Sequence, residues 1–295
     1  MLVLNITEME RDFTTVKVVT DSISDIPADV AAELGITVVP CNVHFGQQVY
    51  RDGIDLTNEE FYSRLVASSE LPTTSQPSAG VFEETYRRLG SDGAAILSIH
   101  IPARVSGTLN SAHIARQALP DLSIAVVDST QISMALGWLV IKAARAAREE
   151  MNMNRILEMV NATIPRLRLL AMLETLEYVY RGGRIGKAQA LMGTLLKVKP
   201  VIQVLNGEVL PIENVRTKRK ALRRLIELVQ ALGPLEEVAI IHSSNAAGAR
   251  EVRQMMASLH PVERIPVVEA GPVLGTHAGP GAVGIACVLA ETRRA

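Results

Sequence analysis

The sequence predicts a two-domain α/β protein in which a mainly parallel sheet flanked by helices forms the N-terminal domain and a second α/β domain follows. Three observations indicate this fold class. Short β-branched segments alternate with helical segments in the first half of the chain, as in a parallel sheet covered on both faces. The chain has 295 residues, whereas domains average roughly 100–200 residues. Its composition is 48% apolar, which is enough to bury a substantial core.

The N-terminal domain is expected over residues 16–165, after an extension over residues 1–15. Its first strand ends in Asp21-Ser22, a pair that caps a turn or helix at the carboxyl end of a strand. Gly35 ends the helix that follows. The expected strands are Val16–Thr20, Ile36–Phe45, Ala94–Ile99 and Ser123–Val127. The expected helices are Pro27–Leu34, Asn58–Ser68, Leu109–Ala118, Met134–Glu150 and Arg155–Ile164.

The C-terminal domain is expected over residues 166–292, and on sequence alone its final strands fit either domain. Asn206-Gly207 between two apolar runs is a strong signal for a two-residue hairpin. Glu174–Gly193 is expected to form helical segments broken at Gly182-Gly183. The expected strands are Leu167–Leu173, Val201–Leu205, Val209–Ile212, Val238–Ile241 and Pro266–Glu269. The expected helices are Lys218–Leu232 and Ala246–Leu259.

Composition and charge argue against several classes of function. The formal net charge is −1 and aromatic residues make up 3%, so we expect no nucleic-acid partner. Cys41 and Cys287 lie in apolar settings without metal-type spacing, as inert thiols in a reducing compartment do. Met1–Phe13 lacks the basic and apolar segments of a secretory signal. Apolar stretches such as Met134–Ile141 are shorter than the ~20 residues of a membrane span. We therefore expect a cytoplasmic protein with no integral membrane association, no metal and no cofactor.

Three short segments combine hydroxyl or imidazole side chains with turn-forming residues next to apolar runs. They are Pro72–Ser78, Ser106–Thr108 and Gly275–Gly281. Neutral hydrogen-bond donors of this kind suit one anionic group on which they converge. Ser106 also stands at the start of the predicted helix Leu109–Ala118, where unpaired backbone amides favour an anion. The same position is compatible with an ordinary helix cap.

Together with Thr20-Asp21-Ser22 and Arg181–Ile185, these segments resemble the DegV family of fatty-acid-binding proteins. The resemblance extends over about residues 16–290. It implies a long-chain fatty acid as the ligand, bound at the domain interface in a buried apolar tunnel.

The resemblance also assigns roles to individual residues. It implies that Thr74 and Ser106 hydrogen-bond the ligand carboxylate and that His277 lies near the head group. Other positions that it places next to the ligand are Asp21, Ser22, Ser75, Gly107, Thr108 and Thr276. Four apolar residues are candidates for the tunnel lining, although core packing is the more frequent fate of such residues: Leu191, Met192, Leu195 and Leu196.

Neutral donors suggest what happens to the bound carboxylate. A carboxylate held by hydroxyl groups keeps more nucleophilicity than one clamped by arginine, which suits a substrate presented to a second protein. By its similarity to FakB subunits, the chain is expected to present a fatty acid to a separate fatty-acid kinase and not to be an enzyme itself. Arg181, Arg184 and Arg216 are the expected partner contacts, although each also fits a solvated helix end or face.

A serine hydrolase is the main alternative, with Ser106 as nucleophile, His277 as base and Asp21 or Asp128 as the group that orients the base. Against it, the serine lacks the Gly-x-Ser-x-Gly elbow that exposes a nucleophile. A phosphotransferase is less favoured because the chain has no Gly-x-x-x-x-Gly-Lys-[Ser/Thr] loop.

Overall fold

The computed structural model describes residues 15–191 and 198–291. The expected N-terminal extension, apart from Thr15, lies outside these ranges, as do Met192, Leu195 and Leu196. The strands are β1 (Val16–Asp21), β2 (Thr37–Val39), β3 (Asn42–Phe45), β4 (Gln48–Arg51), β5 (Thr73–Ser75), β6 (Ala95–His100), β7 (Ile124–Asp128), β8 (Leu167–Met172), β9 (Lys199–Leu205), β10 (Glu208–Val215), β11 (Leu235–His242), β12 (Val267–Glu269) and β13 (Val283–Leu289). The α-helices are α1 (Ala28–Leu34), α2 (Asn58–Ala67), α3 (Ala79–Gly90), α4 (Thr108–Gln117), α5 (Ser133–Arg148), α6 (Met153–Thr163), α7 (Glu177–Arg181), α8 (Lys218–Gln230), α9 (Ala246–Met255) and α10 (Pro272–Ala278).

The first half of the chain forms the parallel sheet that the sequence predicts. Its strand order is β2-β1-β6-β7, and every pair is parallel. Helices α3 and α4 pack on one face, where Phe82, Tyr86 and Ala112 are fully buried against the strands. Helix α5 packs on the other face. Strand β2 lies on one side of β1, whereas β6 and β7 lie on the other side. The direction in which successive strands are added therefore reverses between β1 and β6.

One expected strand, Ile36–Phe45, is in fact two. Strand β2 ends at Val39, and β3 begins at Asn42 in a separate antiparallel sheet of order β4-β3-β5. Pro40 stands at the break, where its missing N–H ends the ladder. Helix α3 and the strands β4 and β5 are not among the predicted elements, and the two strands are only four and three residues long.

The second half of the chain forms a six-stranded sheet of order β10-β9-β8-β13-β11-β12. Its pairs are antiparallel except β11 with β12. The predicted hairpin joins β9 to β10, and Asn206 and Gly207 have φ values of 52° and 73°, as a type I′ turn requires. The last strand, β13, which the sequence left between domains, lies between β8 and β11 in this sheet.

Side chains of the six-stranded sheet alternate between two cores. Leu170, Met172 and Ile285 face the layer made by α8 and α9, whereas Leu169 and Ala286 belong to the cluster that contains α5. Helix α5 is apolar on nearly all sides and contacts both large sheets. A helix of this kind has to be buried, and here it lies between them.

Candidate functional site

A cavity lies between the two large sheets. One wall is built by residues at the carboxyl ends of the parallel strands, where ligands of open α/β sheets usually bind: Ile23, Cys41, Ile101 and Ile132. The opposite wall is one face of the six-stranded sheet, and α10 closes a side with Val273, Leu274 and His277. The volume within which the centre of a water molecule can move is about 150 Å³. The total empty volume between the lining atoms is about 1270 Å³, which includes the part that is open to solvent. Most of the lining is aliphatic.

Thr74 and His277 meet on the cavity wall. Thr74 lies on β5 and His277 in the last turn of α10, and their Oγ1 and Nε2 atoms are 2.9 Å apart. Both residues line the cavity. His277 stands among turn-forming residues in the sequence, but the backbone is helical from Pro272 to Ala278 and turns only at Gly279, whose φ is 69°. The helix therefore fixes the direction of the imidazole.

Ser106 lines the same cavity from the loop that precedes α4. Its Oγ lies 2.8 Å from the Thr108 Oγ1 and 3.2 Å from the Thr108 backbone N–H, which donates to it. The N-cap residue of α4 is Gly107, which makes no side-chain cap bond. Gly107 leaves room for the Gln76 side-chain amide, which a Cβ at this position would approach to 2.7 Å and displace. Gln76, which the sequence analysis did not single out, also lines the cavity.

His277 is uncharged at neutral pH. Burial, with a smaller contribution from the Arg184 guanidinium, lowers its pKa from 6.5 to about 4. Its Nδ1 is buried and has no hydrogen-bond partner among the described residues. This atom packs against the backbone of Gly182, where any Cβ would clash with the ring. The Gly182-Gly183 break therefore provides room for the imidazole as well as ending α7.

Arg184 borders the cavity beside Ser106 and His277. Its Nε donates to the Val105 carbonyl at 3.2 Å and its Nη1 to the Gly182 carbonyl at 2.7 Å. The side chain is exposed, so it adds a positive charge at the edge of a wall whose other polar groups are mostly neutral. The sequence predicts a partner contact for Arg184, whereas its guanidinium stands at the edge of the cavity.

Several residues that the resemblance placed next to the ligand lie behind the wall. Ser22 binds the Asp52 side chain at 2.7 Å, the Thr276 hydroxyl donates to the Pro272 carbonyl at 2.9 Å, and Thr108 is fully buried. These three and Gly107 do not line the cavity. Ser75 does, but its Oγ lies 2.8 Å from His44 Nε2. Leu191 is partly buried and does not line the cavity either.

Asp21 is also not on the wall, because it forms a buried network instead. Its carboxylate accepts from the backbone N–H groups of Ile23 and Ile101, each at 3.1 Å, and lies 2.9 Å from His100 Nδ1. The other nitrogen of His100 lies 2.6 Å from Ser98 Oγ. Asp21 thus holds the two loops that supply Ile23 and Ile101 to the cavity.

The hydrolase alternative is not assembled. His277 contacts Thr74 and not Ser106, while Asp21 is occupied by His100. Asp128 accepts from the N–H groups of Ala103 and Thr130. No nucleophile–base–acid chain therefore connects these residues.

The described residues contain no group of three or more His, Cys, Asp or Glu side chains that could hold a metal ion. Cys41 and Cys287 are buried free thiols, and burial raises the pKa of both. Within the described ranges, the chain has no helix of the length and apolarity that crossing a bilayer requires.

The basic run after β10 lies on the surface. Arg224 pairs with Glu213 and Glu227, but several other cations form no ion pair with the described residues: Arg216, Lys218, Arg219, Lys220 and Arg223. The start of the basic run is connected to the cavity through neighbouring residues. Val215, at the end of β10, pairs with Lys199, and the Lys199 amine forms an ion pair with Glu174. Glu174 directly follows Leu173, which lines the cavity. The run thus starts at the sheet end that bears one side of the cavity. Arg181, in contrast, pairs with Glu177 at 3.2 Å.

The DegV family model matches residues 15–290, nearly the whole chain. The chain belongs to the DegV family. A DegV domain-containing protein of Caldanaerobacter subterraneus subsp. tengcongensis is 37% identical over 273 residues, which cover 92% of this chain and 97% of the relative.

Solved structures of DegV-family proteins have the same fold. A fatty-acid-binding DegV family protein from Thermus thermophilus matches with a TM-score of 0.88 and 33% identity, covering 94% of this chain and 100% of that one. DegV of Bacillus subtilis, described as a fatty acid binding protein, matches with a TM-score of 0.83 and 32% identity, covering 93% and 99%. The predicted family and fold class are therefore confirmed.

Two buried carboxyl groups, absent from the sequence analysis, hold the start of α10. Asp25 accepts from the Gly271 N–H at 3.0 Å and Ser133 Oγ at 2.5 Å. Asp52 accepts from Ser22 and from the backbone of Val273. Burial is the main cause that raises the pKa of each to about 7. No local sequence pattern marks either residue, because they meet only in the folded chain.

The raised pKa of Asp52 makes stability depend on pH. Because its folded-state pKa of about 7 lies above the ordinary value of 3.8, its contribution is fully present below pH 3.8 and is lost as pH rises through 7. His277 acts in the opposite direction, since its folded pKa lies below 6.5 and stability is lost as pH falls through about 4.

We predict that Asp52→Asn removes the Asp52 part of this dependence, because asparagine keeps an acceptor oxygen but does not ionise. The free energy of unfolding of the parent, relative to the variant, should fall by on the order of 2–4 kcal/mol between about pH 4.5 and about pH 8. Urea unfolding at both pH values measures it. The exposed Asp29→Asn is the control for loss of a carboxyl group. Parallel pH profiles in parent and Asp52→Asn protein would contradict the assignment.

Proposed function

We propose that this DegV-family protein binds one long-chain fatty acid, with the carboxylate at Thr74, Ser106 and His277 and the acyl chain in the cavity. The observation that carries the proposal is a largely aliphatic cavity whose wall presents two hydroxyl groups and a neutral imidazole. The relatives described as fatty-acid-binding proteins share its fold.

The acyl chain supplies most of the binding energy. Burial of one methylene stabilises by about 0.8 kcal/mol, so a sixteen-carbon chain offers on the order of 10 kcal/mol before the costs of association. Apolar lining residues such as Leu169, Ile202 and Val204 are nearly fully buried and provide such a surface.

The carboxylate needs enough donors to offset its loss of hydration. The hydroxyl groups of Thr74 and Ser106 can donate to it, and the exposed Arg184 adds a favourable positive potential at the edge of the site. Because Arg184 already donates to two backbone carbonyls, it does not need to clamp the carboxylate to be satisfied. A head group held in this way stays reactive.

We further propose that the protein presents the carboxyl group to a separate fatty-acid kinase for formation of an acyl phosphate, and is not a catalyst by itself. The basic run beginning at Arg216 supports a docking role, because its unpaired cations suit an acidic or nucleotide-bearing partner. The lack of an assembled nucleophile–base pair at Ser106 and His277 supports the non-catalytic part.

Thr74→Ala and Ser106→Ala should each weaken fatty-acid binding roughly 10- to 150-fold, because each removes a hydrogen bond to a charged group worth about 1.5–3 kcal/mol. Palmitate affinities of delipidated protein measure the effect. Thr85→Ala on α3, remote from the cavity, is the matched control and should bind like the parent. Parent-like affinity in both site variants would refute the head-group assignment.

Charge reversal by Arg216→Glu should reduce ATP-dependent acyl-phosphate formation with a compatible kinase while palmitate affinity stays near that of the parent. A rim charge mainly governs encounter with the partner. Arg88→Glu, an exposed arginine on α3, controls for net charge. If turnover in Arg216→Glu equals that of the control, the docking surface lies elsewhere; ester hydrolysis by the isolated chain that Ser106→Ala abolishes would instead establish a hydrolase.

A further inference from the structure

The tip of the β9–β10 hairpin connects the six-stranded sheet to loops of the parallel sheet. The Gly207 backbone N–H donates to the Thr130 carbonyl at 2.9 Å. The turn also packs on Pro102, because a Cβ at Gly207 would stand 2.9 Å from the Pro102 Cβ. Thr130 follows β7 and Pro102 follows β6. The hairpin tip therefore joins the two halves of the molecule at the edge of the cavity.

The carboxylate of Glu208 reinforces this junction on its outer side. It forms one ion pair with Arg104, from the loop after β6, and a second with Lys187 at 2.7 Å. Lys187 belongs to the 3-10 segment Gly186–Leu191. Lys187, and with it Arg104, lowers the pKa of Glu208, so the carboxyl group is ionised at neutral pH. We call the residues of this junction the clasp: Pro102, Arg104, Thr130, Lys187, Gly207 and Glu208.

The cavity wall is thin at the clasp. Pro102 and Gly207 line the cavity. Arg104 and Lys187 do not, and their side chains expose 63% and 70% of their surface to solvent. Glu208 lies between them and does not line the cavity either. Only one layer of residues therefore separates the cavity from the exposed ion pairs.

Other walls of the cavity are backed by further layers. The six-stranded sheet carries α8 and α9 on its far face. Helix α10 packs on α2, where the rings of Phe61 and Tyr62 leave no room for a Cβ at Gly275. Regions with few buried apolar contacts open at the lowest free energy. The clasp is therefore a weaker closure than these two walls.

We propose that the clasp is a gate through which the fatty acid enters and leaves the cavity, and that Glu208 holds this gate closed. The inference rests on the proposed function, since it concerns the passage of the same ligand. The proposed carboxylate donor Ser106 is next to the gate, because its backbone N–H donates to the Pro102 carbonyl at 3.2 Å. Opening of the clasp thus brings water to the head group while the acyl chain is still buried.

Glu208→Gln tests the gate, because it removes both ion pairs and keeps the size of the side chain. Exposed ion pairs contribute modestly to stability, so palmitate uptake and release should both become roughly 2- to 10-fold faster. The dissociation constant should stay near that of the parent, since Glu208 does not line the cavity and both rates rise together. Arg104→Gln is a second variant and should act in the same direction.

Uptake is measured by mixing delipidated protein with palmitate, and release by transfer of labelled palmitate to excess serum albumin. Glu213→Gln is the matched control, because Glu213 lies on the same strand, forms an ion pair with Arg224 and does not line the cavity. Its rates should equal those of the parent. Because salt screens exposed charges, added salt should speed release from the parent and the control more than release from Glu208→Gln.

Hydrogen exchange of the Gly207 amide gives a readout that needs no ligand, and it should be faster in Glu208→Gln than in the parent. Unchanged palmitate rates in Glu208→Gln and Arg104→Gln, with both variants shown to be folded by thermal unfolding, would overturn the gate. So would a changed dissociation constant with an unchanged uptake rate. A parent that binds no palmitate would refute the proposed function, and unchanged exchange of the Gly207 amide would refute the closing role of Glu208 even then.

Discussion

Burial of helix α5 between the two large sheets determines where this fold leaves a cavity. The helix contacts β1 and β6 of the parallel sheet and β8, β11 and β13 of the six-stranded sheet. At its start, Ile132 and Ser133 line the cavity, so the open space begins where the helix does. Beyond this point, the loops at the carboxyl ends of the parallel strands face the apolar surface of the six-stranded sheet. One wall of the cavity is therefore made of loops and the opposite wall is an aliphatic sheet surface.

Buried carboxylates hold those loops in place. Asp21 binds the backbone after β1 and after β6, and Asp25 and Asp52 bind the start of α10. A carboxyl group is costly to bury unless it is hydrogen-bonded, and here the donors include backbone amides and serine hydroxyl groups at or beside cavity residues. Polar anchoring behind the wall allows the wall itself to be apolar, and His277 at the other end of α10 is fixed as a consequence.

Much of the fold could be predicted because local signals and tertiary structure agree. Gly35 ends α1 with φ 67°, and the Asn206-Gly207 turn joins β9 to β10. Predictions failed where tertiary pairing decides the outcome. The segment from Ile36 to Phe45 is rich in β-branched and apolar residues on both sides of Pro40, and only its pairing with two different sheets shows that Pro40 divides it.

Knowledge of the site from sequence was partial for the same reason. Thr74, Ser106 and His277 were found because motif resemblance marks them, and the structure places all three on one cavity. Asp21 and Thr276 share those motifs but point into the protein, since a motif does not tell which side of a wall a side chain faces. Asp52 carries no local signal, because only the folded chain brings it to the start of α10.

The most direct test of this account is mass spectrometry of a denaturing solvent extract from freshly purified protein. The account predicts a fatty acid of roughly C16–C18 in near-stoichiometric amount, because burial of so many methylenes should survive purification. An extract without fatty acid, together with no uptake of added palmitate or oleate, would contradict it.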